Sequence, residues 1–136
     1  VKRTLSRVDR FSSRQEAFDH YRPKRVFRQI SDAVLWDYVQ HGTKEIAPGV
    51  FALSYSRDWE ARCYALVYNL WRLLPHLRVP TLAIRAQDSN TLAASSWNKW
   101  RAMASDVDFV EIEDVGHLVP FEKPDELAGI VLDWMG

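Results

Sequence analysis

Glu113-Asp114-Val115-Gly116-His117-Leu118-Val119-Pro120 is the stretch on which the reading of this 136-residue chain turns. A strand-like run, Val107-Asp108-Phe109-Val110-Glu111-Ile112, leads into it, and a helix opening at Pro124 follows. A histidine in a Gly-containing loop just beyond a strand stands at the rim of a sheet, where its side chain can work on a ligand. Earlier lies a second strand-like run, Val79-Pro80-Thr81-Leu82-Ala83-Ile84, followed by the acidic loop Arg85-Ala86-Gln87-Asp88-Ser89-Asn90. Strand, acidic loop, helix, strand, His loop, helix is an order that delivers an acid and a histidine to one edge of a parallel sheet.

The flanking segments support that order. Residues 93–104 place Trp97, Trp100 and Ala104 on one helical stripe. In the last segment Pro124 suits a first helical position, and Asp125 and Glu126 complement the helix dipole. Leu127, Ile130, Val131 and Trp134 then make an i, i+3, i+4, i+7 stripe. The result is a βαβα unit, with two parallel strands and a right-handed crossover. Two parallel apolar strands do not stand alone. They call for helices on both faces and further strands on at least one edge, so this part reads as the end of a larger α/β sheet.

The preceding part is helical and aromatic. Residues 1–12 are basic and patternless, the composition of a mobile lead-in or of a segment packed on something absent from this chain. Ser13-Arg14-Gln15-Glu16 has capping-box spacing and predicts a helix to about Arg22, before Pro23. Another helix is predicted from Ser31, with Val34, Leu35, Tyr38 and Val39 on one face and Gly42 as its left-handed stop. Pro48-Gly49 between short apolar runs reads as a turn or small hairpin. A third helix is expected over 57–67, and Leu70-Trp71-Arg72-Leu73-Leu74 starts a short fourth that Pro75 ends. The boundary between the two parts is placed after His76, giving a helical segment 1–76 and a βαβα segment 77–136.

Composition narrows the function classes. The chain is 47% hydrophobic and 26% charged, which is globular rather than disordered, and its formal net charge is zero. A bulk electrostatic case for nucleic acid or a membrane surface is therefore missing. The charge is polarised, however. Lys2, Arg3, Arg7, Arg10, Arg14, Arg22, Lys24, Arg25 and Arg28 crowd the first 30 residues, whereas Lys123 is the one basic residue among the acidic groups of 104–136. Two solvated, mutually attractive surfaces account for this, with a basic binding patch as the alternative. One cysteine, Cys63, rules out an internal disulfide and fits a reducing, cytoplasmic setting. No run approaches the roughly 18 apolar residues of a membrane-spanning helix, and no signal peptide is visible. His20, His41 and His76 show no metal-ligand spacing with each other or with Cys63, so neither metal nor cofactor is expected.

With the two strand–loop units in place, the residues resemble a known family. Val79-Pro80-Thr81-Leu82-Ala83-Ile84-Arg85-Ala86-Gln87-Asp88-Ser89-Asn90-Thr91-Leu92, then Val115-Gly116-His117-Leu118-Val119-Pro120-Phe121-Glu122-Lys123-Pro124, is similar to the C-terminal part of α/β-hydrolases. Tyr38-Val39-Gln40-His41-Gly42 and Trp59-Glu60-Ala61-Arg62 resemble that family's lid, so the likeness runs from about Ser12 onward. It implies a helical lid followed by the last two strands of the sheet. The penultimate strand of the family carries the catalytic acid, and the loop after the last strand carries the histidine. His117 is then the general base and Asp88 the acid that orients it, with Asn90, which could hold the histidine by a neutral hydrogen bond, as the alternative. Relatives often read Arg-Gly-x-x-Ser-Asp here, which aligns Asn90 with the acid and Ala86 with a Gly, and leaves Asp88 as the nearest carboxylate.

The family's Gly-x-Ser-x-Gly nucleophile elbow is absent. Gly42, Gly49, Gly116, Gly129 and Gly136 bracket no Ser, Cys or Asp at that spacing. The resemblance thus implies a chain bearing base and lid, with nucleophile and oxyanion hole in a missing N-terminal half. A complete enzyme would hydrolyse a small-molecule ester-like substrate, and this chain alone would be inactive. Trp36, Tyr38, Trp59, Tyr64 and Trp71 are candidates for an apolar pocket beneath the lid, or else for helix-packing core. The rival readings are a non-enzymatic module pairing through its strand edge with another chain or a second copy, and a helical ligand-binding domain.

Overall fold

The structure, a computed structural model, describes residues 1–66 and 69–136. The chain forms two units, residues 1–68 and 69–136, so the segment 69–76 groups with the strands that follow it.

In the first unit, helix α1 (Lys2–Leu5) precedes strand β1 (Arg10–Phe11) and helix α2 (Arg14–Tyr21). A 3₁₀ turn at Arg25–Phe27 leads to helix α3 (Asp32–Gly42), the hairpin β2 (Thr43–Ala47) and β3 (Val50–Leu53), and helix α4 (Arg57–Ala65). The antiparallel sheet has the order β1-β3-β2. Local signals account for most of this. Ser13, Ser31 and Ser56 each accept an amide N–H three residues on, from Glu16, Val34 and Trp59, and so cap α2, α3 and α4. Glu16 does not return to Ser13 as in a capping box. Its carboxylate takes the Ser12 N–H and hydroxyl, at 2.5 and 2.6 Å. The predicted hairpin forms around Pro48-Gly49, where Gly49 adopts φ +69°, a left-handed conformation that suits glycine. Residue 67, the predicted end of the third helix, lies outside the described residues.

Two expectations for this unit are corrected. The N-terminal segment is no mobile lead-in: Phe11 is only 4% exposed, pairs with Phe51 in β3, and packs near Tyr21. Arg57 binds Asp9 at 2.9 Å and the Arg7 carbonyl at 2.9 Å, while Arg7 pairs with Glu60. The basic residues that made the segment look solvated are thus partly consumed by acids of its own unit. Nor is Gly42 a left-handed stop. The chain passes straight into extended Thr43, whose hydroxyl caps the Val39 carbonyl at 2.7 Å, while the Ser54 N–H takes the Gly42 carbonyl. With those carbonyls satisfied, the left-handed turn is unnecessary.

The second unit opens with 3₁₀ turns at Leu70–Arg72 and Leu74–His76, the second containing Pro75 instead of ending before it. Strand β4 (Thr81–Ala86), helix α5 (Ala94–Met103) and strand β5 (Val107–Ile112) form the βαβ crossover, followed by a single turn α6 (Val119–Glu122) and helix α7 (Pro124–Met135). Strands β4 and β5 are parallel, in register from Thr81↔Val107 to Ala86↔Ile112. Alternation along β5 sends consecutive residues to opposite faces. Phe109 meets Trp97 and Trp100 of α5 edge-on at 5.0 and 5.3 Å, and Trp97 is 2% exposed. On the other face Ile84, Ala86, Val110 and Ile112 join Val115, Val119, Leu127 and Ile130, which seats α7.

Strand β4 begins and ends two residues later than the apolar run 79–84. Pro80 lacks a ladder N–H and Val79 is 64% exposed, which delays the start. The extension includes Arg85, whose charge made it look like loop. It is 5% exposed and each of its three guanidinium nitrogens donates once, to the Leu92 carbonyl (2.9 Å), the Gln87 carbonyl (3.0 Å) and the Glu111 carboxylate (2.5 Å).

Candidate active site: two loops at the rim of the parallel strands

Because β4 and β5 run in parallel and in register, the loops that leave them emerge side by side at one end. They are joined by backbone. The Gln87 N–H donates to the Ile112 carbonyl (2.9 Å), the Asp88 N–H to the Val115 carbonyl (3.1 Å), and the Asp114 N–H to Gln87 Oε1 (3.2 Å). Asp114 takes φ +52°, a left-handed position that aspartate tolerates better than most residues. Val115 and Val119, 1% and 7% exposed, plant both ends of the His loop in the core.

Glu122 holds the centre of that loop. Its carboxylate accepts the N–H of Gly116 at 2.7 Å and that of Leu118 at 3.3 Å, the amides on either side of His117. A Cβ on residue 116 would lie 2.7 Å from Glu122 Oε1, so any larger residue there makes the carboxylate shift. Lys123 Nζ binds the Glu113 carbonyl at 2.8 Å and ties the loop's start to its end. On the facing side, Arg85 grips both Gln87 and Leu92 and so closes the acidic loop on itself.

His117 is exposed on this frame. Its ring contacts are hydroxyls: Thr91 Oγ1 lies 2.6 Å from Nδ1, and Ser89 Oγ lies 3.2 Å from the same nitrogen. The two hydroxyls are 3.1 Å apart. Beside the ring is a cavity of about 210 Å³ lined by Ile84, Ala86, Leu92, Val119, Pro120 and Leu127, with Arg85 and Ser89 at its edge. The arrangement presents one imidazole, two hydroxyls and an apolar surface.

The structure thus brings the acidic and His loops together but does not pair Asp88 with His117. The Asp88 side chain is exposed and makes no ion pair or hydrogen bond among the described residues, and the same holds for Asn90. Asp88 contributes its backbone N–H to the Val115 carbonyl, and the residues one and three positions further on reach the ring instead. Ser89, Thr91, Glu122 and Arg85 are the site residues that sequence reasoning did not single out. For Glu122 the only signal was its place five residues after His117, and Ser89 and Thr91 read as ordinary turn chemistry.

Of the five aromatic candidates, Trp36, Tyr38, Trp59 and Tyr64 belong to the first unit and Trp71 to the second. Trp36 stacks on Phe18 at 4.5 Å, and Tyr38 sits among Tyr21 and Phe27, all inside the first unit. Burial, then a hydrogen bond with Tyr55, raises the Tyr38 hydroxyl pKa well above its usual value. Trp59 and Tyr64 are 63% and 60% exposed on α4, and Trp71 lies under Lys99 Nζ at 4.7 Å. Trp71, which belongs to the same unit as the cavity beside His117, does not line it. Among the described residues no three His, Cys, Asp or Glu side chains converge as metal ligands, and no helix is long and apolar enough to cross a membrane.

No protein-family model matches the chain, and no curated protein does. Solved structures do. An E-2-(acetamidomethylene)succinate hydrolase matches with a TM-score of 0.80 at 15% identity, over 92% of this chain and 46% of its own. A peroxisomal α/β-hydrolase from Saccharomyces cerevisiae gives 0.78 at 17% identity, over 97% of this chain and 37% of its own. An esterase from Mycobacterium tuberculosis gives 0.69 at 20% identity, over 96% and 45%. The chain spans less than half the length of each.

Proposed function

We propose that this chain, which has the fold of the C-terminal portion of an α/β-hydrolase, supplies the general base and the lid of a hydrolase acting on a small carboxylic ester or a related activated acyl or carbon–carbon bond. The observation that carries the reading is His117 itself: exposed at the rim of the parallel strands, beside an apolar cavity, on a loop held at both of its flanking amides. An imidazole changes protonation near neutrality, so it can take a proton from an attacking hydroxyl and return it to a leaving alcohol. The nucleophile and oxyanion hole come from a complementary N-terminal half, since this chain has no Gly-x-Ser-x-Gly. The cavity of Ile84, Leu92, Val119, Pro120 and Leu127 receives the apolar part of the substrate. The helical segment before β4 is the lid, and the reaction needs no cofactor. A single cysteine, Cys63, supports a reducing, cytoplasmic setting for this reading.

A second reading has one observation in its favour. Among the described residues β4 pairs only with β5, which leaves its other edge open to a strand from another chain or a second copy. Size-exclusion chromatography separates this from a monomer.

The test of the main reading is hydrolysis of a chromogenic short-chain ester. The chain alone is expected to show no rate above its His117→Ala variant. Expression together with the residues encoded upstream of Val1 is expected to give a rate that His117→Ala abolishes. A rate in the isolated chain that depends on His117, or a joint activity indifferent to it, refutes the proposal.

A further inference from the structure

Lys24, in the first unit, is set apart from the other lysines by what its amine touches. Its Nζ is half-buried, 2.6 Å from His20 Nε2 and 4.6 Å from the centre of the Tyr21 ring, and it makes no ion pair among the described residues. By contrast Lys123 pairs with Glu126, and Lys2, Lys44 and Lys99 are exposed. The backbone holds the contact in place. The Lys24 N–H donates to the Tyr21 carbonyl at 3.0 Å, and the Lys24 carbonyl accepts from Phe27 at 2.9 Å. His20, in the last turn of α2, is flanked by the rings of Phe11 and Tyr21 at 5.5 and 5.3 Å.

An ammonium can only donate, so Nε2 is the acceptor of this contact. Burial, then the Arg7 guanidinium, lowers the Lys24 pKa below its ordinary value. Burial, then Lys24, lowers that of His20 against the opposing pull of Glu16. The free amine is therefore more accessible than at an isolated lysine, and the imidazole beside it is neutral near neutrality and free to take a proton.

We propose that Lys24 is a nucleophilic site for activated acyl groups, such as that of an aryl ester, with His20 as the acceptor of the proton released on transfer. The ammonium first gives one proton to water. The amine keeps an N–H on Nε2, which leaves its lone pair free on the side away from the ring. That lone pair forms a C–N bond at the acyl carbon, and the C–O bond breaks with its electron pair going to the departing phenolate. The nitrogen then sheds its second proton to Nε2, which passes it to water, and an amide remains. The site fills once and does not turn over. It acts without His117 and so goes beyond the hydrolysis proposed above.

The test is brief acetylation of the 136-residue chain by p-nitrophenyl acetate just above neutral pH, with the extent at each lysine read by peptide mass spectrometry. Lys24 should acetylate about tenfold faster than exposed Lys44, a small part of what a positioned base contributes in an active site. The preference should vanish in urea, where the contact is lost. It should also decline as pH drops below 6.5 and His20 gains its proton, a ratio that needs no variant. His20→Gln keeps a polar group at that position but no base, and should bring Lys24 down to the rate of Lys44, whereas His117→Ala should change nothing. Equal rates at Lys24 and Lys44 in the folded chain, a preference that persists in urea, or one indifferent to both pH and His20→Gln overturns the proposal. Each of these can happen while the His117 reading stands, and the reverse holds as well.

Discussion

The contact between Glu122 and Gly116 makes a prediction that two single substitutions and their combination can test. Removing the carboxylate in Glu122→Ala strips acceptors from the Gly116 and Leu118 amides, one bond short at 2.7 Å and one long at 3.3 Å. Hydrogen bonds to a charged group contribute about 1.5–3 kcal/mol each, and counting the longer one at a fraction gives a loss of about 2 kcal/mol. Gly116→Ala should cost about as much by a different route. Its new Cβ meets Glu122 Oε1 at 2.7 Å, and the prediction is that the carboxylate yields by leaving the amides it binds. Gly116 has no positive φ, so backbone strain adds nothing. Once the carboxylate is gone, the methyl has nothing to displace. The double variant should therefore be about as stable as either single one, with a coupling energy near 2 kcal/mol where independent sites would add. For a unit of this size, about 2 kcal/mol corresponds to a fall in melting temperature of roughly 8–16 °C. Thermal melts by near-ultraviolet circular dichroism measure the stabilities, and hydrogen exchange at Gly116 and Leu118 reports the amides directly. Additive losses, or unchanged exchange at those two amides in Glu122→Ala, would refute the reasoning.

Three other outcomes are expected. Arg85→Met should destabilise by about 3 kcal/mol, since it leaves the Leu92 and Gln87 carbonyls without their donor and breaks a pair with Glu111 that is buried on the arginine side; urea denaturation measures this, and a change under 0.5 kcal/mol would contradict it. Phe11→Ala should cost about 3 kcal/mol by opening a cavity between β3 and α2, whereas a mobile lead-in would tolerate it without loss. Acid should weaken the first unit through two groups. Hydrogen bonds from Ser12 lower the Glu16 pKa below 4.5, so its contribution is present above that value and is lost as pH falls through the depressed one. Burial, then Lys24, lowers the His20 pKa below 6.5, so the unfolded chain takes up that proton first and stability declines as pH drops below 6.5. In melts across pH, His20→Gln should flatten the decline near 6 and Glu16→Gln the decline near 4; unchanged profiles would show that neither group contributes.

Local chemistry in the sequence determined the elements. Ser13 and Ser31 stand as caps where their spacing places them, Pro48-Gly49 turns the hairpin, and the Leu127–Ile130 stripe seats the last helix against the apolar face of β5. These features depend on residues within a turn or two of one another, and a periodicity of two or 3.6 reports them directly. The parallel pairing was legible for the same reason, because alternating Val107–Ile112 and the aromatic stripe of 93–104 leave few ways to bury both faces.

Only the tertiary structure decided which groups meet at the rim. Arg85 reads as a loop cation until its three acceptors are assembled from a strand and both ends of a loop, and Phe11 reads as tail until β3 pairs with it. His117 faces Thr91 and Ser89, with Asp88 turned to solvent, because the path of the loop 87–93 sets which of its side chains reaches the ring. A shift of one residue along such a loop replaces a carboxylate with a hydroxyl. No local pattern encodes that shift, since it follows from hydrogen bonds between segments far apart in the chain.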